Sequence, residues 1–150
     1  MRRAVLAGMF AVAISLAAAP AGTAAHCRPT ANDGGGPNRS PPLRAKIGTG
    51  HVLTGVVLTP ACQPIPGATV SFWQSNGKGV YTAKTQGAVI TNKAGGFRFE
   101  GPRPTSYGGF PAHIHIKVEA GGFVTLFTEY FPPRGSTRGR VRLVLVPAGL

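Results

Sequence analysis

The sequence predicts an all-β fold, a small antiparallel β-sandwich behind a leader and a Gly/Pro-rich arm. Three features carry that expectation. From His51 onward the apolar residues come in short runs, rich in the β-branched and aromatic side chains that suit a pleated surface. Clusters of Gly, Pro and Asn separate the runs (PIPG, SNGKG, NKAGG, EAGG and PPRG), and these residues supply the backbone angles that turns need. After the leader, no segment repeats its apolar positions with a helical period. Gly and Pro number 22 and 14 of 150 residues, just under the proportion typical of low-complexity chains.

Taken in order, residues 1–25 read as a secretory signal peptide. Arg2 and Arg3 precede an apolar run from Ala4 to Ala19, then small residues with Thr23-Ala24-Ala25 before the expected cut. The apolar run is short and Ala-rich for a membrane span, so no span is expected once the leader is removed. Arg2-Arg3 leaves twin-arginine export open beside the general route. The location that follows is secreted or cell envelope. Residues 26–49, with RPTANDGGGPNRSPPLRA at their centre, hold Pro, Gly, Asn and Ser and little that is apolar, which predicts an arm or linker. Residues 50–150 form the domain. Its expected strands are HVLTGVVL, ATVSFWQ, GAVITN, GFRFE, HIHIKVE, FVTLFTEYF and VRLVLVP.

Charge and cysteines set further bounds. Sixteen Lys and Arg stand against four Asp and Glu, a formal charge of +12. Such a field attracts anionic surfaces and substrates. The basic residues are scattered apart from PRGSTRGRVR at 133–142, and no helical DNA-reading motif is present, so specific nucleic-acid recognition is not expected. Two cysteines, Cys27 and Cys62, are expected to pair in an oxidising compartment and so tie the arm to the domain; two free thiols are the alternative. Neither carries the local histidine signature of a catalytic cysteine.

Chemistry concentrates in FPAHIHIKVEAGGFVTLFTEYF, residues 110–131. Along a strand, His113 and His115 share one face with Lys117 and Glu119 while Ile114, Ile116 and Val118 line the other. The two imidazoles stand about 6–7 Å apart at Cα, close enough to converge on one metal ion, although the polar face of a half-buried strand explains the same spacing. Zinc or copper would call for a third histidine, and His26 and His51 have no local partner. A ferric ion favours hard anionic oxygens with imidazole, and Tyr81, Tyr107 and Tyr130 are the phenols available. Tyr130 reads as a packing residue.

The order of GVVLTPACQPIPGATVSFWQSNGKGVY (55–81), TNKAGGFRFEG (91–101) and SYGGFPAHIH (106–115) resembles the intradiol ring-cleavage dioxygenases, the ferric catechol and protocatechuate enzymes. The resemblance runs from about Gly55 to Phe131. It implies that Tyr81, Tyr107, His113 and His115 hold one non-haem Fe(III), with Tyr107 as the axial phenolate that leaves the metal to take a substrate proton. The implied reaction takes a small aromatic diol and O₂, incorporating both oxygen atoms, to a muconate-type diacid.

Two positions depart from the family pattern. Phe110 stands where an arginine commonly precedes Pro-Ala-His. Glu129 takes the place of a glutamine. Both are expected to face substrate, and Arg103, at the start of the same loop, is the internal candidate to supply the missing cation as a catalytic electrostatic group. Other readings stay open: an inactive iron- or ligand-binding module, or a cationic, polyanion-binding envelope protein. Ring substituents and oligomeric state have no signal in the sequence.

Overall fold

The structure, a computed structural model, describes residues 25–36 and 39–149. The expected leader therefore lies, apart from Ala25, outside the described residues. Seven strands follow one another: β1 (Gly50–Leu58), β2 (Thr69–Trp73), β3 (Gln86–Ile90), β4 (Gly96–Pro102), β5 (Ile114–Glu119), β6 (Leu126–Tyr130) and β7 (Arg138–Val144). The one helical element among the described residues is a single 3₁₀ turn at Ala83–Thr85, so none is long and apolar enough to cross a membrane. A three-stranded sheet in the order β4-β1-β7 faces a four-stranded sheet in the order β3-β2-β5-β6.

Among the seven strands, all pairings are antiparallel except β1 with β7, which run parallel. Apolar alternation fixes which face of a strand is buried but not the direction of its neighbour, so this exception left no trace in the sequence. It arises because the chain crosses from β6 in one sheet to β7 in the other and enters beside β1 from the same end. β7 also begins earlier than expected: the basic RGR is strand, not loop.

Period-two patterning builds the core. Leu53 and Val57 of β1, Phe97 and Phe99 of β4, Val70 and Phe72 of β2, and Ile114, Ile116 and Val118 of β5 all point inward and are buried. The Phe72 ring stacks on Phe99 with centroids 4.3 Å apart, joining the two sheets. Burying each such side chain contributes about 1.5–3 kcal/mol.

The arm packs along the edges of both sheets. Thr30 N–H donates to the Val144 carbonyl on β7 at 3.0 Å, and Asp33 N–H to Phe127 on β6 at 3.0 Å. Arg44 N–H donates to Ala88 on β3 at 2.8 Å, and Ile47 N–H to Glu100 on β4 at 2.9 Å. Thr30, Asp33, Arg44 and Ile47 thus reach every outer strand and occupy backbone groups that would otherwise be exposed edges. Gly87 permits the approach, because a Cβ there would collide with the Arg44 carbonyl oxygen. A segment with few apolar residues reads as a linker; here backbone hydrogen bonds hold it, and composition does not register them. Cys27 and Cys62 are bridged, with Cα atoms 5.2 Å apart, and the Cys27 N–H donates to the Pro60 carbonyl at 2.8 Å.

Candidate metal centre

Two loops and one strand bring four side chains to one point. After β2, Ser75 Oγ accepts from the N–H groups of Gly77 (3.1 Å) and Gly79 (2.8 Å), folding the chain tightly before Tyr81. Gly79 has φ +74°, and a Cβ on it would come 3.0 Å from the Tyr107 ring, so this turn needs glycine both for its backbone and for its closeness. On the far side of Tyr81, Thr82 caps the 3₁₀ turn. Tyr107 and Phe110 exchange backbone hydrogen bonds around Gly108 and Gly109, both with positive φ, the geometry of a tight two-residue reversal. His113 lies just before β5, and His115 within it.

The donor atoms converge. Tyr81 Oη lies 2.5 Å from Tyr107 Oη, 3.1 Å from His115 Nε2 and 3.5 Å from His113 Nε2. The two Nε2 atoms are 3.1 Å apart. Donors bound at about 2.0–2.2 Å to one first-row ion stand about 3 Å from one another, so two phenol oxygens and two imidazole nitrogens at these separations fit a single hard cation.

Burial favours the neutral forms of these donors. Burial, then the hydrogen bond with Tyr107, pushes the Tyr81 phenol well above the ordinary tyrosine range. A bound cation reverses that preference by stabilising the phenolate. Burial, reinforced by His113, lowers His115, which keeps its imidazole neutral as a ligand must be. His113 Nδ1 lies 2.7 Å from the Pro111 carbonyl, and donating there leaves Nε2 with its lone pair toward the cluster.

Glu129, opposite His115 on β6, has Oε1 3.1 Å from His115 Nδ1 and 3.9 Å from His113 Nε2. It therefore stands on the nitrogen of His115 that faces away from the phenols. With His113 and His115 it forms a group whose ligand atoms lie within 4.8 Å of one another. Phe110 is 60% exposed at the rim, its ring 5.7 Å from that of Tyr107.

Arg103 is not brought to this cluster. It lines a neighbouring depression with Ser106 and Arg134, separated from the donor cluster by Pro111 and Phe131, which line both. The face shared by His113 and His115 also differs from a solvated strand face: Lys117 is 2% exposed, its ammonium 3.0 Å from Glu119 and 5.9 Å from the centre of the Trp73 ring. His51 is buried against Tyr130 with ring centroids 5.6 Å apart, and His26 lies beside Pro60, so neither joins the site. Two contributors had no sequence signal of their own. Gly36 of the arm passes so close that a Cβ would lie 3.2 Å from His115 Nδ1, and Phe131 sets its ring 5.8 Å from His113.

Two phenols and two imidazoles gathered beside one sheet of a β-sandwich make a donor set that suits a hard, highly charged ion. A family model described as "Dioxygenase" matches residues 26–134, and the chain belongs to that family, the intradiol ring-cleavage dioxygenases. The chain is 28% identical over 113 residues to hydroxyquinol 1,2-dioxygenase of Rhizobium sp. (strain MTP-10005), covering 57% of this chain and 38% of that protein. It is 29% identical over 106 residues to catechol 1,2-dioxygenase of Candida albicans, covering 53% and 35%. It thus spans less than half the length of these relatives.

Among solved structures, the dioxygenase domain of a dioxygenase carbohydrate-binding protein fusion from the cellulolytic bacterium Streptomyces sp. SirexAA-E superposes with a TM-score of 0.70. That pair is 24% identical and covers 81% of this chain and 100% of the other. An intradiol ring-cleavage dioxygenase from Tetranychus urticae gives 0.66 at 18% identity, covering 79% and 93%. These likenesses are of fold.

Proposed function

We propose that the protein is an exported Fe(III) dioxygenase that cleaves a catecholic ring between its two hydroxyl-bearing carbons to give a muconate-type diacid. The observation that carries this reading is the convergence of Tyr81, Tyr107, His113 and His115 within 2.5–3.5 Å of one another through Tyr81 and the paired imidazoles. Family membership supports it independently. A bound ferric ion would supply Lewis acidity toward a chelating diol and make the ring reactive to O₂.

The chain's own groups divide the remaining work. Tyr81, packed among Tyr107, His113 and His115, is the phenol held in place. Tyr107 sits on a Gly-Gly reversal whose neighbours are exposed, so it is the phenol able to swing away and accept a substrate hydroxyl proton at Oη. Phe110, Pro111 and Phe131 wall the opening and give a planar ring apolar surfaces to lie against. Phe110 brings no charge to the ring, so turnover rests on the metal without the cation that the family usually adds. Export is supported by the leader-like residues 1–25 and by a Cys27–Cys62 bridge, which persists in oxidising compartments.

Replacing Tyr81 by Phe tests the ligand set. The expected outcome is loss of the visible phenolate-to-iron colour together with a fall in bound iron, and His113→Ala and His115→Ala should behave alike. Full iron stoichiometry in any of the three would remove that residue from the set. An iron-loaded, coloured wild type that binds catechol without consuming O₂ would instead favour a binding module, a reading that Phe110 at the rim supports.

A further inference from the structure

The outer face of the three-stranded sheet lies on the side of the sandwich opposite the metal centre and carries a row of cations. In register with Val52, Thr54 and Val56 of β1 stand Arg138, Arg140 and Arg142 of β7, and Arg98 of β4 lies opposite Thr54 on the other flank. Alternate residues of a strand share a face, so the three β7 guanidinium groups form one line, and all four arginines are exposed. The carboxylate of this face, Glu100, is already engaged by Lys46 at 3.0 Å and Arg98 at 2.9 Å. Among the described residues, Arg138, Arg140 and Arg142 have no carboxylate within ion-pair distance. The floor between the flanks is small and partly buried, valine methyls and a threonine.

The spacing selects a partner. Arginines at alternate strand positions stand about 6.8 Å apart. That interval corresponds to six backbone bonds, so a polymer whose phosphates are joined through three-carbon units, also six bonds from one phosphorus to the next, repeats its charge about every 7 Å when extended. A 1,4-linked polyuronate turns successive carboxylates to opposite sides and offers this row only every second charge. Single-stranded nucleic acid has the same six-bond phosphate repeat but would find no aromatic platform for its bases on the face, and a flat sheet offers nothing to enter a duplex groove.

We propose that this face docks an extended polyphosphodiester with small polyol linkers. Phosphates lie on Arg138, Arg140 and Arg142, carbon linkers lie over Val52 and Val56, and the metal centre points away from the polymer. This inference is independent of the chemistry at the metal.

The test uses the full exported chain and fluorescently labelled poly(glycerol phosphate), with binding read by anisotropy over a range of salt. Polyuronate and oligothymidylate of equal charge serve as competitors, and the key variant is Arg138→Gln/Arg140→Gln/Arg142→Gln. The wild type should prefer poly(glycerol phosphate) to both competitors by about tenfold or more, and the variant should lose about 10–100-fold in affinity for it. Its slope of log K against log salt should fall by about 2, three contacts at about 0.7 each. A second variant, Arg28→Gln/Lys84→Gln/Arg134→Gln, removes the same charge elsewhere and should bind nearly as well as wild type; circular dichroism reports whether each variant is folded. Should the triple variant fail to fold, Arg140→Gln alone should lose several-fold and lower the slope by about 0.7. Equal losses from both triple variants, or equal affinity for all three polymers, would overturn the proposal in favour of undirected surface charge.

Discussion

Oε1 of Glu129 lies 3.1 Å from Nδ1 of His115, on the edge of the ring turned away from the Tyr81 hydroxyl. A carboxylate at that place favours the tautomer with the proton on Nδ1 and the lone pair on Nε2, the form that ligates. Glu129→Ala should therefore weaken iron retention on the order of 10–100-fold in competition with a chelator, the usual scale for losing such a partner. Glu129→Gln keeps the shape without the charge, so its affinity should fall between that of the wild type and that of the alanine variant. Equal affinity in wild type and the alanine variant would leave Glu129 no part in holding His115.

Much of this was readable in the residues, and the limits have physical causes. The strands announce themselves because Leu53, Phe72, Phe99 and Ile116 alternate with polar positions and meet in one core. The candidate ligands came into view in two ways: His113 and His115 through their two-residue spacing, and Tyr81 and Tyr107 through the family order of motifs. What the sequence withheld depends on long-range backbone contacts. The arm's path across Val144, Phe127, Ala88 and Glu100 is set by N–H and C=O groups that every residue carries, so composition cannot reveal it. Arg103 was drawn to the site by closeness in sequence to Tyr107, but Arg103 lines one depression and Tyr107 the neighbouring one.

The Cys27–Cys62 bridge closes a sequence separation of 35 residues and fastens the start of the arm beside Pro60. On chain-entropy grounds a loop of that length contributes about 3–4 kcal/mol to stability. Reduction, or Cys27→Ser/Cys62→Ser, should lower the free energy of unfolding by roughly that amount in denaturant titrations. Proteolysis of the native protein should then begin within the arm. An unchanged denaturation midpoint after verified reduction would contradict this.

His51, buried beside Tyr130, has its titration lowered chiefly by burial, with Arg103 adding to the effect and the Ser136 carbonyl opposing it. Its unfolded form binds a proton near pH 6.5 while its folded form resists, so below that pH the unfolded chain holds more protons. Stability should be full above about pH 6.5 and fall as the pH drops through and below that value. His115 is lowered in the same direction and contributes with the same sign. His51→Gln should flatten the fall between pH 7.5 and 5.5 without abolishing it, as read from guanidinium midpoints. An identical pH dependence in the two proteins would show that His51 titrates alike in both states.

The central claim is that two phenolates and two imidazoles hold one ferric ion able to chelate a diol. It is tested most directly by the visible spectrum of the purified, iron-loaded protein, recorded before and after catechol is added under nitrogen, followed by admission of O₂. The account predicts a phenolate-to-iron band in the resting protein, a shift of that band on adding catechol, and its return to the resting form as O₂ and catechol are consumed together. A protein that takes up stoichiometric metal yet shows no such band, or whose band is indifferent to catechol, would contradict it.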